Sequence, residues 1–257
     1  PNKYKEVVWD QNYYVADVYG TYNKTFSEKH NLTLIAGYNY EAKYYRDLTA
    51  ANDGLLSEDL SDFNLAKGTT NFTLNGGRNE YAIMGWFYRA AYDYKGKYLA
   101  EVNGRYDGTS RFPKDSRFGF FPSFSAGWRI SEEAFMKNTK SFLSNLKLRA
   151  SWGSIGNQII LKPDNTPENY PYIPSMSPYL TEWLVDGQKT TTLNAPAMVS
   201  SSFSWEKVYT LDFGVDFGFF DNRFNGTFDW YRRDTKGMLA PGMDLPWVVG
   251  ATAAKQN

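Results

Sequence analysis

Tyr98, Ala100, Val102, Gly104 and Tyr106 alternate with Leu99, Glu101, Asn103, Arg105 and Asp107, so a strand here carries all of its charge on one face. The same period of two marks eight candidate strands: 13–23, 31–45, 81–93, 98–107, 120–130, 146–154, 207–219 and 224–234. Residues such as Met84, Trp86 and Tyr88, Phe124, Ala126 and Trp128, or Phe213, Val215 and Phe217 share faces that lack charge across their middle. Arg89, Glu101, Arg129, Lys147, Arg149, Asp212 and Asp216 fall on the opposite faces, and Arg232 breaks the rule only towards the end of the last strand. Most of these runs exceed the ~5 to 6 residues usual in soluble sheets and reach the ~9 to 11 that a tilted strand needs to cross a bilayer. A wall with lipid on one side and water on the other requires this pattern, because a Lys or Arg in the middle of the lipid face costs about 2 to 4 kcal/mol.

The connections fall into two classes. The turns at 27–30, 94–97 and 220–223 are short and polar, as hairpin turns are. Those at 46–80, 108–119, 155–206 and 235–257 are long, and loops beyond about 12 to 15 residues are uncommon in compact soluble domains. Short turns at one end and long loops at the other is the arrangement of a transmembrane antiparallel β-barrel. Ser131 to Met136, on the short side, reads as a brief helix with Ser131 as N-cap. The whole of 1–257 is taken as one partial barrel domain, all-β in class. Pro1 in place of an initiator Met, the lack of a signal segment and the polar stretch after Trp247 lead us to expect a slice of something larger. Two other architectures remain open: a soluble, aromatic-rich β-sandwich that binds or cleaves carbohydrate, and a small self-closing eight-stranded barrel.

Composition changes the picture in three places. Lys+Arg and Asp+Glu both number 28, which argues against a nucleic-acid partner. There is no cysteine, so disulfides, thiolate metal sites and Cys nucleophiles are excluded together. Aromatic residues make up 18% of the chain, which suits strands and membrane interfaces alike.

Enzymatic signals are poor. His30 is the single histidine and sits in a turn, so neither a His-dependent triad nor a multi-His metal site can be assembled. Asp212 and Asp216 share a strand face and read as lumen lining rather than as an acid/base pair. Gly76-Gly77 lacks the Lys of a phosphate loop and reads as a loop hinge. Asp53, Glu58, Asp59 and Asp62 offer oxygens for Ca²⁺ but lack EF-hand spacing, so solvated loop charge is expected, with no metal, cofactor or catalytic residue. Arg105, Asp107, Arg111 and Arg117 lie where a strand meets its long loop and are expected to brace the barrel mouth. For ligand contact the expected residues are Tyr170, Tyr172, Tyr179, Trp183 and Asp186 of the 155–206 connection, since aromatic faces pack on sugars and a carboxylate accepts from hydroxyls. The other reading of these aromatics is packing within their own loop or against a partner. Trp86, Trp128, Trp152 and Trp230 are assigned to the membrane interface.

The blocks Arg105–Phe112, Gly119-Phe120-Phe121-Pro122-Ser123, Ala126–Glu133, Leu146–Gln158 and Trp205-Glu206-Lys207, with Leu211–Phe217 and Asp229-Trp230-Tyr231, resemble the SusC/RagA family of TonB-linked outer-membrane transporters over residues 80–240. The resemblance implies a barrel of about 22 strands, an N-terminal plug, a TonB-binding segment and a SusD-like surface lipoprotein as lid. Plug, TonB-binding segment and closing strands are not found in this sequence, so coupling to the TonB complex would run through regions outside it. It further implies a bacterial outer-membrane location with the long loops extracellular, lipid as a partner, and active import of a large nutrient. An oligosaccharide is the first expectation for the cargo and a peptide the second.

Overall fold

A computed structural model describes residues 3–57, 59–69, 71–162, 165–196, 198–200, 202–240, 246 and 248. Among these residues ten strands form: β1 Lys3–Phe26, β2 His30–Asp53, β3 Thr73–Tyr94, β4 Tyr98–Thr109, β5 Phe118–Arg129, β6 Leu143–Asn157, β7 Pro178–Val185, β8 Gln188–Leu193, β9 Glu206–Phe219 and β10 Phe224–Lys236. Eight build one sheet in the order β1-β2-β3-β4-β5-β6-β9-β10, and β7 and β8 pair only with each other. The chain divides into two compact units, residues 1–16 with 40–83, and residues 17–39 with 84–257.

In the second unit the antiparallel register aligns side chains into rows across the strands. One row runs Ala100, Ala126, Ala150, Phe213, Trp230 over β4, β5, β6, β9 and β10. The next row towards the tight turns is Tyr98, Trp128, Leu148, Val215, Phe228. These are the residues of the uncharged faces, and among the described residues no second layer covers them: Phe228 is 65% exposed and Trp230 51%. A β-sandwich would bury them between two sheets, so the sandwich is set aside. The sheet also has two free edges, β1 and β10, and so is not the small self-closed barrel either.

The turns are tight because the backbone twists into the left-handed region. Ser27 and Glu28, Lys95 and Gly96, and Phe220, Asp221 and Asn222 all have positive φ, matching the right-handed twist of the flanking strands. Neighbouring turns are bonded to each other, Lys95 N–H donating to the Lys29 carbonyl at 2.6 Å and Arg129 N–H to the Lys97 carbonyl at 2.8 Å.

Three expectations need correction here. The 46–80 connection is shorter than expected: β2 continues to Asp53 and β3 begins at Thr73. Both faces of these outer segments carry polar residues, so the uncharged face that revealed the other strands is missing. Gly76 and Gly77 are therefore strand residues, not a hinge, and a Cβ on Gly77 would meet the Asp47 carboxylate at 2.7 Å. The helix expected at Ser131 is replaced by two 3-10 turns, Ile130–Glu132 and Ala134–Thr139. Glu133 between them is extended, and its carboxylate accepts from Trp128 Nε1 and Lys97 Nζ, both at 3.3 Å. Ser131 caps nothing; it is 1% exposed, and among the described residues its hydroxyl has no hydrogen-bond partner. Ser131→Ala is accordingly expected to be neutral or to stabilise by up to about 1 kcal/mol, where loss of an N-cap would destabilise by about 1 kcal/mol. Urea midpoints of the two proteins, compared in the same detergent, decide between the signs.

Candidate functional site

Charge gathers on the face opposite the aromatic rows. Arg149 on β6 forms a two-pronged bond to Asp216 on β9 at 2.9 and 3.0 Å, and its Nη2 also donates to Asp229 on β10 at 2.8 Å. One guanidinium thus ties three strands together. Gly214 makes this possible, because it lies between Arg149 and Asp229 in the register and a Cβ there would collide with the Asp229 carboxylate and the Arg149 guanidinium. Further along, Arg89 pairs with Glu101 at 2.6 Å, and Arg105 pairs with Asp107 at 2.9 Å over Gly85, where a Cβ would meet the Asp107 carboxylate. Asp212 and Asp216 do share this face, with Asp216 committed to Arg149.

At the end with the long connections, a small core forms from Phe112, Phe121, Ile160, Phe203 and Trp205, with Tyr172 and Leu239 against it. Trp205 receives Phe112 and Phe121 edge-on, at 5.5 and 5.0 Å between ring centres. Hydrogen bonds stitch the 108–118 segment to the 158–205 connection. Arg111 Nε donates to Asn169 Oδ1 at 2.8 Å, Tyr172 Oη to the Ser110 carbonyl at 3.3 Å, Ser116 Oγ to the Phe203 carbonyl at 2.7 Å, and Trp205 Nε1 to the Arg117 carbonyl at 3.1 Å.

The residues expected to brace the mouth therefore act separately. Arg105 and Asp107 pair within β4, Arg111 is buried against Asn169, and Arg117 contributes its backbone carbonyl. The residues expected to bind ligand are not brought together as one site. Tyr170 and Tyr172 meet edge-on at 6.3 Å beside the small core. Tyr179 and Trp183 stand on β7, and Asp186 forms the β7–β8 turn with φ 51°. Thr181, 1% exposed, holds a bulge in that hairpin by donating to the Trp183 carbonyl and accepting from Thr190 N–H.

Of the interface tryptophans, Trp128 stacks with Tyr98, Trp152 with Phe124 and Tyr209, Trp230 with Phe213, and Trp86 meets Tyr38 at 4.8 Å. In the acidic connection Asp62 caps the turn Phe63–Leu65 by accepting from Asn64 N–H, and Asp53 bonds Asn71. Asp59 N–H donates to Ser57 Oγ at 3.3 Å, while Glu58 lies outside the described residues. His30 Nδ1 lies 2.6 Å from Tyr92 Oη, and its ring packs on Tyr94.

Glu133 carries a testable pH effect. Hydrogen bonds from Tyr98 first, then from Trp128 and Lys97, hold its carboxyl below the usual carboxylate range. A depressed folded value means the contribution is complete above the ordinary value of 4.5 and is lost as pH falls through the depressed one. Between neutral pH and pH ~3, the parent is expected to lose more stability than Glu133→Gln, read as detergent unfolding midpoints; parallel curves would refute the linkage.

One contact was missed in the sequence. In the first unit, Tyr81 Oη on β3 donates to Glu41 Oε1 on β2 at 2.8 Å. Their odd numbering, which places them on one face of their strands, was the available signal.

The family model described as TonB dependent receptor-like, beta-barrel matches residues 2–256. TonB-dependent receptor P3 of Formosa agariphila is 30% identical over 95% of this chain and 23% of its own length. TonB-dependent receptor SusC of Bacteroides thetaiotaomicron is 36% identical over 61% of this chain and 15% of its own. The chain thus spans about a quarter or less of these relatives. A solved structure of the RagAB peptide transporter superposes with a TM-score of 0.81 at 23% identity, over 98% of this chain and 26% of that one. Charged and uncharged faces separated strand by strand, tight turns alternating with long connections, and the matching barrel model lead to one conclusion: the chain belongs to the TonB dependent receptor-like β-barrel family.

Proposed function

We propose that the chain forms part of the wall and mouth of a bacterial outer-membrane importer, energised through TonB, that takes up a nutrient too large for porins. The observation that carries this reading is the single-layered sheet with ion pairs such as Arg149–Asp216 on one face and stacked, exposed aromatics such as Phe213–Trp230 on the other. Water in the lumen solvates the first face and lipid covers the second. The long connections face the exterior, and a SusD-like lipoprotein lids them. A glycan is the preferred cargo, as the resemblance to the SusC/RagA family implies. A peptide is the second reading, favoured by the likeness to solved structures of the RagAB peptide importer. The protein moves its cargo without covalent chemistry and needs no cofactor.

The test is purification of the native protein from its source membranes in mild detergent, with identification of co-purifying chains. An outer-membrane complex of a chain several times larger than 29.4 kDa with a lipoprotein is the expected result. A water-soluble 29.4 kDa species overturns the reading.

A further inference from the structure

The uncharged face of β9 and β10 changes character towards its outer end. From the Phe213–Trp230 pair, the facing pairs continue outward as Leu211–Arg232, Tyr209–Asp234 and Lys207–Lys236. The β6 residues that extend these rows, Trp152, Ser154 and Gly156, carry no charge. Three cations therefore stand against one acid, and Asp234 is already bonded to Arg232 at 3.0 Å. Lys207 and Lys236 lie directly opposite each other, which costs stability in an isolated sheet. Their ammonium groups lie 5.8 Å from the ring centre of Phe121 and 5.5 Å from that of Tyr209, and among the described residues no carboxylate lies within ion-pair distance of either. Guarding a free edge would account for Lys236 on β10 but not for Lys207, since β9 is paired on both sides.

Depth decides what lies beside them. A membrane span takes ~9 to 11 residues. Counted from the turn at 220–223, that length ends at 209–211 on β9 and at 232–234 on β10. Trp152 stacks on Tyr209 at this level, as residues of an interfacial belt do. Arg232 thus reaches the outer border of the hydrocarbon, and Lys207 and Lys236 lie just beyond it, at the level of the lipid headgroups. We infer that Lys207, Arg232 and Lys236 form a site for a phosphate group of the outer-leaflet glycolipid, whose acyl chains lie along Phe213 and Trp230 below. The planar guanidinium of Arg232 matches phosphate oxygens, and the two ammonium groups add point charges that a phosphate offsets. A neutral headgroup would leave the lysine pair uncompensated. A dissolved anion on its way through the lumen passes the opposite face, so the occupant is lipid. The inference rests on the importer reading above, because it needs the long connections to face the exterior.

The experiment uses the full-length transporter purified with its lipoprotein and delipidated in detergent. It is incubated with lipid A, with lipid A stripped of its phosphates, and with inorganic phosphate. Native mass spectrometry counts what is retained by the parent, by the Lys207→Gln/Lys236→Gln double variant and by Arg232→Gln. Folding of each is checked by heat-modifiable mobility on gels. Affinity for lipid A is expected to fall about 10-fold or more in the double variant and less in Arg232→Gln. The parent's preference should disappear when the phosphates are removed and weaken in about 0.5 M salt, which screens exposed charges. Equal retention of lipid A by the parent and the folded double variant overturns the site and leaves the importer reading intact. Equal retention of lipid A with and without its phosphates, or capture of inorganic phosphate without lipid A, overturns the glycolipid assignment while import stands. Protease that cuts 158–205 in permeabilised cells but not in intact ones places these strand ends in the periplasm and overturns both readings.

Discussion

Arginine at Ala126 is expected to destabilise the membrane-inserted protein by about 2 to 4 kcal/mol, whereas arginine at the adjacent Ser125 is expected to change it by less than about 1 kcal/mol. Ala126 lies between Ala100 and Ala150 in a row that continues to Phe213 and Trp230, all on the uncharged face. A guanidinium there enters hydrocarbon with no polar partner within its row. Ser125 lies between Glu101 and Ser151 on the opposite face, where Glu101 already accepts from Arg89 and Asn103. The two positions are consecutive in β5, so strand propensity and distance from the turn are nearly equal, and the difference isolates which side meets lipid. The measurement is a urea titration of each variant of the full-length protein in phospholipid vesicles. A larger loss for Ser125→Arg than for Ala126→Arg would reverse the assignment of the faces.

Phe112→Ala is expected to cost the mouth about 3 to 5 kcal/mol, the usual range for removing a buried aromatic ring. Phe112 is 1% exposed and is the largest of the fully buried side chains. It sits edge-on to Trp205, and with Phe121, Ile160 and Phe203 it forms the small core that fastens the long connection to the strand ends. The cavity would not simply refill, because Thr109 and Arg111 beside it are held by backbone and Asn169 bonds. The loss should be local. Proteolysis of intact cells is expected to cut within 158–205 about 100-fold faster or more, as local opening becomes cheaper, while heat-modifiable mobility of the barrel stays unchanged. Equal cleavage rates in parent and variant would mean that the connection is anchored elsewhere.

How much of this was legible beforehand follows the physics of each segment. The tight turns at 27–30, 94–97 and 220–223 fall where expected, because positive φ and short polar connections leave a local signature. Strand faces were legible from Tyr98 to Trp230, because lipid excludes charge and so writes a period of two into the sequence. Beyond the bilayer that constraint is gone. The outer halves of β2 and β3, up to Asp53 and from Thr73, carry polar residues on both sides and read as loop. Ser131 resembled an N-cap because Glu132 and Glu133 follow it, yet Glu133 is drawn to Trp128 just before it and to Lys97, and the Lys97 contact exists only once β4 and β5 have paired. Tyr170, Tyr172, Tyr179, Trp183 and Asp186 have the right chemistry for a binding loop, but packing of Tyr172 against the small core and the β7–β8 pairing send them to different places. The Glu41–Tyr81 contact needed the alignment of β2 with β3; the shared face was readable from the odd numbering, the pairing of the two strands was not.

The strand order has a consequence for how the wall is built. Every neighbour in the eight-stranded sheet is also the next strand in the chain, except at β6 and β9, whose pairing must wait for 158–205 to close a loop. The hairpins β1–β2, β3–β4 and β9–β10 have turns of three or four residues and zip in at little entropic cost, and the other sequential pairs close over no segment longer than 54–72. Bringing β9 to β6 closes a segment more than tenfold longer than those turns, which adds about 2 kcal/mol to the closure entropy relative to them and slows that step relative to local pairing. Assembly should therefore pause with β1 to β6 joined and β9–β10 present as a separate hairpin. In that waiting state β6 is an open edge able to recruit a wrong strand, so periplasmic chaperones or the insertion machinery have most to protect at Leu143–Asn157.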